Sequence, residues 1–418
     1  MRIVVIGAGV VGLTTAWLLQ ERGHEITVVD SNALVGAGAT ARNGAQLSYA
    51  YVTPLAGPNL LAKIPALLLE RDGPMRLRLS LDPSFWRWSM QFLRQCRASA
   101  ERETIAAQLA LAAVSRSETH RIASTLGLKF NHARNGKLVV YRDKTAFRHA
   151  IEGLAFTRAA GVEQHVLSPK ETLATEPAMM LAENTLAGGI LTPDEEVGDA
   201  AAFSEGIGRA IAGRNGAAIM LNCIVNGFIR SRGCIEGVST TRGDIRAELT
   251  VLCAGSESRR LGREVNLRLP IYPLKGYSLT APLREGSLAR SVTDFDRKTV
   301  FAPLGQGPGQ FVRIAGIADL VGHDLQLDQG RLSVLRNNAA SAFAFDLEAD
   351  DKPWAGLRPA TPDSRPIIGP SGIPGLFLNT GHGALGWTQA CGSARLSADL
   401  IDGHSPPLSS RPFSIERF

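Results

Sequence analysis

A glycine-rich turn close to the N-terminus constrains the fold of this chain more than any other feature. An apolar run at residues 2–6 is followed by a turn with three glycines, Gly7, Gly9 and Gly12. An apolar helical stripe and a second apolar run at residues 25–29 come next. This order predicts a strand, a tight turn, a helix and a second strand, which is the βαβ unit that binds dinucleotides.

Each glycine of this turn has a distinct physical role. Gly7 allows the tight turn, Gly9 lets a pyrophosphate approach the backbone, and Gly12 lets the helix pack on the strand. Asp30, at the end of the second strand, can accept hydrogen bonds from ribose hydroxyls. We therefore predict an adenine dinucleotide at the start of the helix, where N–H groups and the helix dipole face the phosphates. We expect three neighbours to contact it as well: Ile6, Val10 and Val11.

The loop after Asp30 favours FAD over NAD, although the two cofactors share the glycine motif. Residues 35–48 are rich in Gly, Ala, Thr and Asn, a composition typical of a loop that passes close to another group. Such a loop can follow the pyrophosphate and ribityl chain toward an isoalloxazine ring; an ordinary surface loop is the alternative. The expected FAD contacts in this loop are Thr40, Arg42, Asn43, Gly44, Ala45 and Gln46. Further contacts are expected at Val225, Ala254, Gly255 and Gly356.

A second glycine turn lies near the C-terminus. Residues 379–388 follow a predicted strand and open the last long helix, so their N–H groups point at one spot. A reduced flavin carries negative charge near N1 and O2, which such a helix start would stabilise. His382 either positions this loop or transfers a proton. The expected flavin contacts here are Gly381, His382, Gly383, Gly386, Trp387 and Thr388.

Arg358 is the candidate substrate-binding residue. It lies in a Pro-rich stretch, residues 354–363, that we expect to form a rigid turn. A guanidinium held in such a turn can bind a planar carboxylate through two parallel hydrogen bonds. An internal ion pair between Arg358 and Asp363 is the alternative, and the sequence does not separate the two.

Composition narrows the classes of partner. The formal charge of +6 comes from scattered Arg and Lys residues without interleaved aromatics, which argues against a nucleic-acid partner. The five cysteines lack metal-ligand or CxxC spacing, so we expect no metal site and a reducing, cytoplasmic compartment. No stretch is long and apolar enough to span a membrane. Residues 60–69 are the candidate for peripheral contact with a membrane surface, although a buried helix explains them as well.

Several motifs together resemble the FAD-dependent D-amino acid oxidase family, most closely its bacterial D-amino acid dehydrogenase (small subunit) branch. The most specific matching segments are residues 7–12, 43–58, 188–199, 273–280, 354–369 and 379–393. The resemblance implies an α/β (α+β) fold, with a glutathione-reductase-like Rossmann FAD-binding domain and an inserted mixed-sheet substrate domain. We expect the FAD-binding domain in residues 1–55, 165–260 and 355–418, and the substrate domain in residues 56–164 and 261–354.

The resemblance also implies a reaction and its residues. Similar enzymes transfer a hydride from the substrate α-carbon to flavin N5, and the imino acid then hydrolyses to a 2-oxo acid and ammonia. Arg358 matches the arginine that binds the substrate carboxylate. Lys275 and Tyr277 fall in a segment that borders the pocket, Tyr51 is placed to wall it, and His382 lies in the loop at the flavin. The expected partners are a small amino or imino acid and an electron acceptor, either a quinone or an electron-transfer protein.

The chain departs from the resembled pattern around Arg297, where the dehydrogenases carry a tyrosine, and in the glycine-rich segment 305–309. These differences keep D-proline or a hydroxy-D-proline open as substrates. An oxidase of glycine, sarcosine or D-amino acids that uses oxygen is a second alternative. A flavin-binding subunit without turnover and an NAD-dependent dehydrogenase are the remaining ones.

Overall fold

The computed structural model describes residues 1–58, 73–284, 286–347 and 351–418. The candidate membrane-contact segment, residues 60–69, therefore lies outside the described residues. The helices in the described ranges are α1 (Val10–Glu21), α2 (Pro83–Gln95), α3 (Ala98–Leu126), α4 (Lys144–Ala159), α5 (Pro169–Thr175), α6 (Ala200–Ala212), α7 (Ser258–Arg263), α8 (Gln329–Ala340) and α9 (Gly386–Ile401). The strands are β1 (Arg2–Ile6), β2 (Glu25–Val29), β3 (Gln46–Leu47), β4 (Met75–Leu77), β5 (Lys137–Tyr141), β6 (His165–Leu167), β7 (Gly188–Thr192), β8 (Glu196–Val197), β9 (Ala217–Met220), β10 (Val225–Ser231), β11 (Cys234–Thr240), β12 (Gly243–Arg246), β13 (Leu249–Leu252), β14 (Tyr272–Ala281), β15 (Ser291–Asp294), β16 (Thr299–Leu304), β17 (Phe311–Leu320), β18 (Trp354–Ala360), β19 (Ile367–Pro370) and β20 (Leu376–Thr380).

The first sheet has the order β19-β20-β13-β1-β2-β9 and is parallel apart from its edge strand β19. The buried sides of α1, α3, α6 and α9 form one core together with this sheet. Trp17 and Leu13 on α1 and Leu396 on α9 are almost wholly buried in this core. A parallel sheet covered by helices is the architecture predicted from the N-terminal βαβ unit.

The second sheet is mixed and follows the order β18-β14-β17-β16-β15-β5-β7-β6, with β4 paired to β17. Its long central strands β14 and β17 pair antiparallel, and their buried apolar residues form a second core together with α8. The antiparallel strands β10, β11 and β12 form a small separate sheet, and β3 pairs with β8. The two large sheets confirm the predicted α/β fold class with a second, mixed sheet.

Sheet membership differs from the predicted domain boundaries at two places. The sequence assigns residues 165–192 to the FAD-binding domain, yet β7 pairs with β5 through Ile190 and Val139 and so belongs to the mixed sheet, as does β6. Strand β18, at the start of the third predicted segment, also pairs in this sheet, with β14. These pairings join segments that are distant in sequence, so local sequence patterns do not predict them. The boundaries themselves stay a prediction.

The stretch around Arg358 is a strand, whereas the sequence predicts a turn. Seven residue pairs join β18 to β14, including Leu274 with Arg358 and Gly276 with Gly356. Prolines are tolerated on edge strands, where an N–H is not needed for pairing, and β18 is the edge of its sheet. Arg358 is therefore held by a sheet and not by a loop.

None of the helices in the described ranges is long and apolar enough to cross a bilayer.

Candidate functional site

One large cavity, of about 1200 Å³, lies between the two sheets. Its wall is built from the carboxyl ends of β1, β2 and β13, the loop after β2, the strands β14 and β18, and the turn before α9. Ligands in open parallel sheets bind outside the carboxyl ends of the strands, because helix starts and loops converge there. The cavity is thus the candidate site for both a nucleotide and a small substrate.

At one end, the cavity is lined by the N-terminal glycine turn. Gly9 is the N-cap of α1 and has no side chain to accept from the first helical turn. The Val10 N–H donates to Oγ1 of Thr40 over 3.1 Å, which ties the loop after β2 to this helix start. The Ala8 N–H donates to Oδ2 of Asp30 over 2.6 Å. The glycine turn, Thr40 and Asp30 therefore form one hydrogen-bonded unit at the cavity wall.

All but two of the predicted site residues line this cavity. Those brought together are Ile6, Gly7, Gly9, Val10, Val11, Asp30, Thr40, Arg42, Asn43, Gly44, Ala45, Gln46, Tyr51, Val225, Ala254, Gly255, Tyr277, Gly356, Arg358, Gly381, His382, Gly383, Gly386, Trp387 and Thr388. They come from segments at both ends of the chain and from both sheets. The two that the structure does not place at the cavity are Gly12 and Lys275.

Gly12 faces the protein instead of the cavity. A Cβ at this position would lie 1.9 Å from the carbonyl oxygen of Gly7 and 3.3 Å from Cβ of Cys253. Gly12 is therefore required for α1 to pack on the strands, which is the role that the sequence predicts for the third glycine of the motif. It shapes the site without contacting a ligand in it.

Lys275 does not line the cavity, although its strand neighbours Leu274, Gly276 and Tyr277 do. The Lys275 ammonium donates to the carbonyl oxygen of Gln326 over 2.5 Å and lies 3.7 Å from Asp324. Tyr277 is buried at the cavity wall, and its hydroxyl donates to Oδ2 of Asp319 over 3.2 Å.

Arg358 lines the cavity, and its guanidinium forms no ion pair with a carboxylate among the residues that the structure describes. Its Nη1 donates to the carbonyl oxygen of Ile317 over 3.1 Å. Burial lowers the pKa of Arg358, and the nearby charge of Asp319 opposes that effect. The alternative partner Asp363 instead pairs with Arg417, at 2.7 Å, and with Arg365. The structure thus rejects the internal Arg358–Asp363 pair.

His382 lies in the turn before α9, among residues that line the cavity. It is 3% exposed, and its Nε2 has no hydrogen-bond partner among the residues that the structure describes. Burial lowers the pKa of His382 to about 3, so the ring is neutral at physiological pH. A neutral ring with an unmet polar atom at a cavity wall is suited to contact a bound ligand.

The structure adds cavity residues that sequence analysis missed. Ser48 lies two residues beyond the predicted loop contacts, and Lys137 is the first residue of the apolar strand β5. Lys137 had a signal in the sequence, because a lysine is rarely buried in an apolar strand without a partner or a function.

A separate cluster is formed by His120, His132 and Glu196, whose potential metal-ligand atoms lie within 4.8 Å of one another. Nε2 of His132 lies 2.8 Å from Oε2 of Glu196, and His120 contacts the same carboxylate. Two guanidinium groups approach it too, with Nε of Arg116 at 3.4 Å and Nε of Arg134 at 3.5 Å. These positive charges disfavour a cation there, and the cluster is an ion-pair network in this structure.

The fold and the cavity define a dinucleotide-dependent α/β enzyme with a candidate substrate site between two sheets. The family model described as FAD dependent oxidoreductase (DAO) matches residues 2–400, and the chain belongs to this family. Its members use FAD, and the predicted cofactor is therefore confirmed.

Relatives and solved structures agree with this assignment. The chain is 41% identical to D-amino acid dehydrogenase 2 of Ralstonia nicotianae, with all of both chains covered. It is 42% identical to D-amino acid dehydrogenase 2 of Pseudomonas aeruginosa, over 97% of this chain and 96% of that protein. The fold is similar to that of glycine oxidase from Geobacillus kaustophilus, with a TM-score of 0.79, 21% identity and coverage of 100% and 99% of the two chains. It is also similar to L-proline dehydrogenase from P. horikoshii, with a TM-score of 0.73, 19% identity and coverage of 100% and 97%.

The residues present fit FAD. The start of α1 offers N–H groups to a pyrophosphate, and Asp30 retains lone pairs for ribose hydroxyls beyond those used by Ala8 and Asn32. The start of α9 lies at the other part of the cavity, beside the unpartnered Nε2 of His382. Two helix starts at one cavity suit a cofactor that carries a pyrophosphate and an electron-rich ring.

Proposed function

We propose that this protein is an FAD-dependent D-amino acid dehydrogenase. In this reaction a D-amino acid loses a hydride and an amine proton, and water then hydrolyses the imino acid to a 2-oxo acid and ammonia. Arg358 is the observation that carries the proposal, because a half-buried guanidinium at a cavity wall, with only a backbone carbonyl as hydrogen-bond partner among the described residues, calls for an anion. The choice of D-amino acids rests on the names of the relatives, which are 38–42% identical over nearly their whole length.

Arg358 provides an anchor for the α-carboxylate. A guanidinium forms two parallel hydrogen bonds with a carboxylate, which fixes both the position and the orientation of the substrate. Tyr51, at the same cavity, provides wall surface for the remainder of the amino acid. FAD, when bound, supplies the acceptor for the hydride that leaves the α-carbon. We assign no general base to the chain, since an amine that arrives neutral needs none; orientation is the main contribution of the protein.

The cofactor contacts are proposed in three groups. The glycine turn at residues 6–11 and Asp30 would hold the ADP part, and residues 40–46 would follow the pyrophosphate and ribityl chain. Residues 381–388 would contact the pyrimidine edge, where the start of α9 stabilises negative charge. Each group lines the cavity, which supports the assignment.

We further propose a membrane quinone as the electron acceptor and a position on the inner face of the cytoplasmic membrane. Exposed apolar side chains gather on and just before α2, and Leu81 among them is 99% exposed. Exposed arginines flank them, so the surface combines apolar and basic groups as an interfacial helix does. We call this surface the α2 face; its members are Leu79, Leu81, Trp86, Met90, Leu93, Arg78, Arg87, Arg94 and Arg97.

Cosedimentation with vesicles tests the α2 face. The protein should sediment with vesicles that contain anionic phospholipid and remain in solution with purely zwitterionic ones. A variant with Trp86→Ser and Leu93→Ser should lose the binding while it keeps its flavin. Equal binding of the parent and this variant would contradict the assignment.

Anaerobic titration of the flavin absorbance tests the activity itself. D-amino acids should bleach the oxidised flavin band, their L-isomers should not, and a soluble quinone should restore the band. Rapid recovery on admission of air would instead identify an oxidase. A flavin that no amino or imino acid reduces would overturn the proposed function.

A further inference from the structure

Lys137 is buried at the cavity wall with an unusual set of partners. It is 2% exposed although it starts the apolar strand β5. Its ammonium donates to Oε1 of Gln46 over 3.0 Å and to Oγ of Ser48 over 2.8 Å. It also lies 4.1 Å from the ring centroid of Tyr51. Two oxygen acceptors and one aromatic face thus surround the three ammonium protons.

Glu195 provides the compensating charge for Lys137. Its Oε1 accepts from the Ala50 N–H over 2.6 Å, in the same segment that Lys137 contacts. Burial lowers the pKa of Lys137 to about 8, and the charge of Glu195 opposes this shift. Burial likewise raises the pKa of Glu195 to about 7. Residues 46–51 are therefore held by two buried groups, the carboxyl group of Glu195 and the ammonium of Lys137.

This segment connects the buried lysine with the expected flavin end of the cavity. The Ser48 N–H donates to Oγ1 of Thr388, in the first turn of α9, over 3.1 Å. Gln46 donates from Nε2 to Oγ of Ser291 over 2.5 Å, which ties the segment to β15. Gln46, Ser48, Tyr51, Lys137 and Thr388 all line the cavity. A displacement of Lys137 would therefore reach both the α9 turn and the Tyr51 wall.

We propose that Lys137 is a positioning residue that holds residues 46–51 against the cavity and so determines which substrate side chains fit beside Tyr51. The inference rests on the proposed function, because it assigns a specificity role within the same site. A purely structural role would be served at lower energetic cost by an apolar side chain, since a buried ammonium loses its hydration. The directed bonds to Gln46 and Ser48 instead define the shape of one wall.

The test uses the double variant Lys137→Met/Glu195→Gln. Removal of Lys137 alone would leave the Glu195 carboxylate buried without a compensating positive charge, which can unfold a protein. The double variant removes both charges, and a glutamine at position 195 can still accept from the Ala50 N–H. Lys129→Met is the matched control, because Lys129 is exposed and does not line the cavity.

Two readouts are combined, and one of them does not depend on turnover. Hydrogen exchange of the amides of residues 46–51 should accelerate about tenfold or more in the double variant. The ratio of kcat/KM values for D-alanine and D-phenylalanine should change about tenfold, equivalent to about 1.4 kcal/mol, while the flavin stays bound. The control should match the parent in both measurements.

An exchange rate and a substrate ratio within about twofold of the parent would overturn the proposal. If the double variant does not fold, Ser48→Ala decides. This variant keeps both charged groups, removes one acceptor of Lys137, and should shift both readouts in the same direction. No shift would refute the role. If no D-amino acid reduces the parent, the proposed function fails, and the exchange data still decide whether Lys137 holds this segment.

Discussion

The guanidinium of Arg358 fills the space in which a side chain at Gly276 would lie. A Cβ at Gly276 would be 2.3 Å from Nη2 of Arg358 and 2.4 Å from Cζ. The two residues lie on neighbouring strands, β14 and β18, and Gly276 pairs with Gly356 in the ladder. Because Gly276 has no side chain, Arg358 can lie across β14 and reach the cavity.

We expect Gly276→Ala to impair substrate binding more than cofactor binding. The added methyl must displace the guanidinium, so the apparent KM for D-amino acids should rise about tenfold or more while the flavin stays bound. Steady-state kinetics and flavin content would measure this. Gly227→Ala is the control, because a Cβ there meets nothing within 4 Å. An unchanged KM would show that the guanidinium is free to move aside.

Replacement of the guanidinium itself should have a larger effect. Arg358→Ala removes a charge-assisted bidentate contact, and we expect kcat/KM to fall about 100-fold or more with the flavin retained. Arg358→Lys keeps the charge without the planar fork and should recover only part of the loss. Normal kinetics in the alanine variant would refute the role of Arg358 as carboxylate anchor.

Asp30 should determine how firmly the cofactor is held. Its carboxylate ties the glycine turn through Ala8 and is placed to accept from the ribose. Asp30→Ala should therefore lose FAD during gel filtration, as measured by the ratio of flavin to protein absorbance. Asp30→Asn keeps one carbonyl acceptor and should retain more flavin. Full retention by Asp30→Ala would contradict the assignment.

Gly12 should matter for folding, not for ligand contact. Gly12→Ala places a methyl within 1.9 Å of a backbone oxygen of Gly7, so α1 must move away from the strands. We expect a fall in unfolding free energy of about 1–3 kcal/mol, measured by denaturant titration. Gly153→Ala, in α4 with open space around its added methyl, should be neutral or stabilising. Equal stability of the two variants would exclude this packing role.

His382 should make stability depend on pH on the acid side. Its pKa is about 3 in the folded protein against the ordinary 6.5. The unfolded chain therefore binds a proton over this window that the folded chain does not, and stability declines as pH falls from 6.5 toward 3. His382→Gln should lose less stability over the same window, by at least about 2 °C in Tm. Parallel Tm profiles would show that the ring is protonated without cost.

Much of the fold was accessible from the sequence because its signals are local. The glycine spacing after β1, the apolar periods of β1, α1 and β2, and Asp30 lie within one continuous stretch. The turn before α9 is equally local. These elements depend on neighbouring residues, so their types and their place at a dinucleotide cavity could be predicted from residues close together in the chain.

Other features depend on the register between strands far apart in the chain. The sequence suggested a turn around Arg358 and a pocket position for Lys275, whereas the structure holds Arg358 in a strand paired with β14 and directs the Lys275 ammonium to the carbonyl oxygen of Gln326. A local sequence pattern does not predict which strands pair or which groups a side chain contacts.

The sequence by itself determined the βαβ unit, the FAD requirement and the residues of both glycine turns. Turn geometry and hydrophobic periodicity depend on residues that are close together in the chain. Only the tertiary structure decided that Gly276 makes room for Arg358 and that Lys137 meets Gln46, Ser48 and Tyr51. Those contacts join segments about 80 or 90 positions apart, and they arise from strand pairing within the mixed sheet and from the packing of residues 46–51 against it.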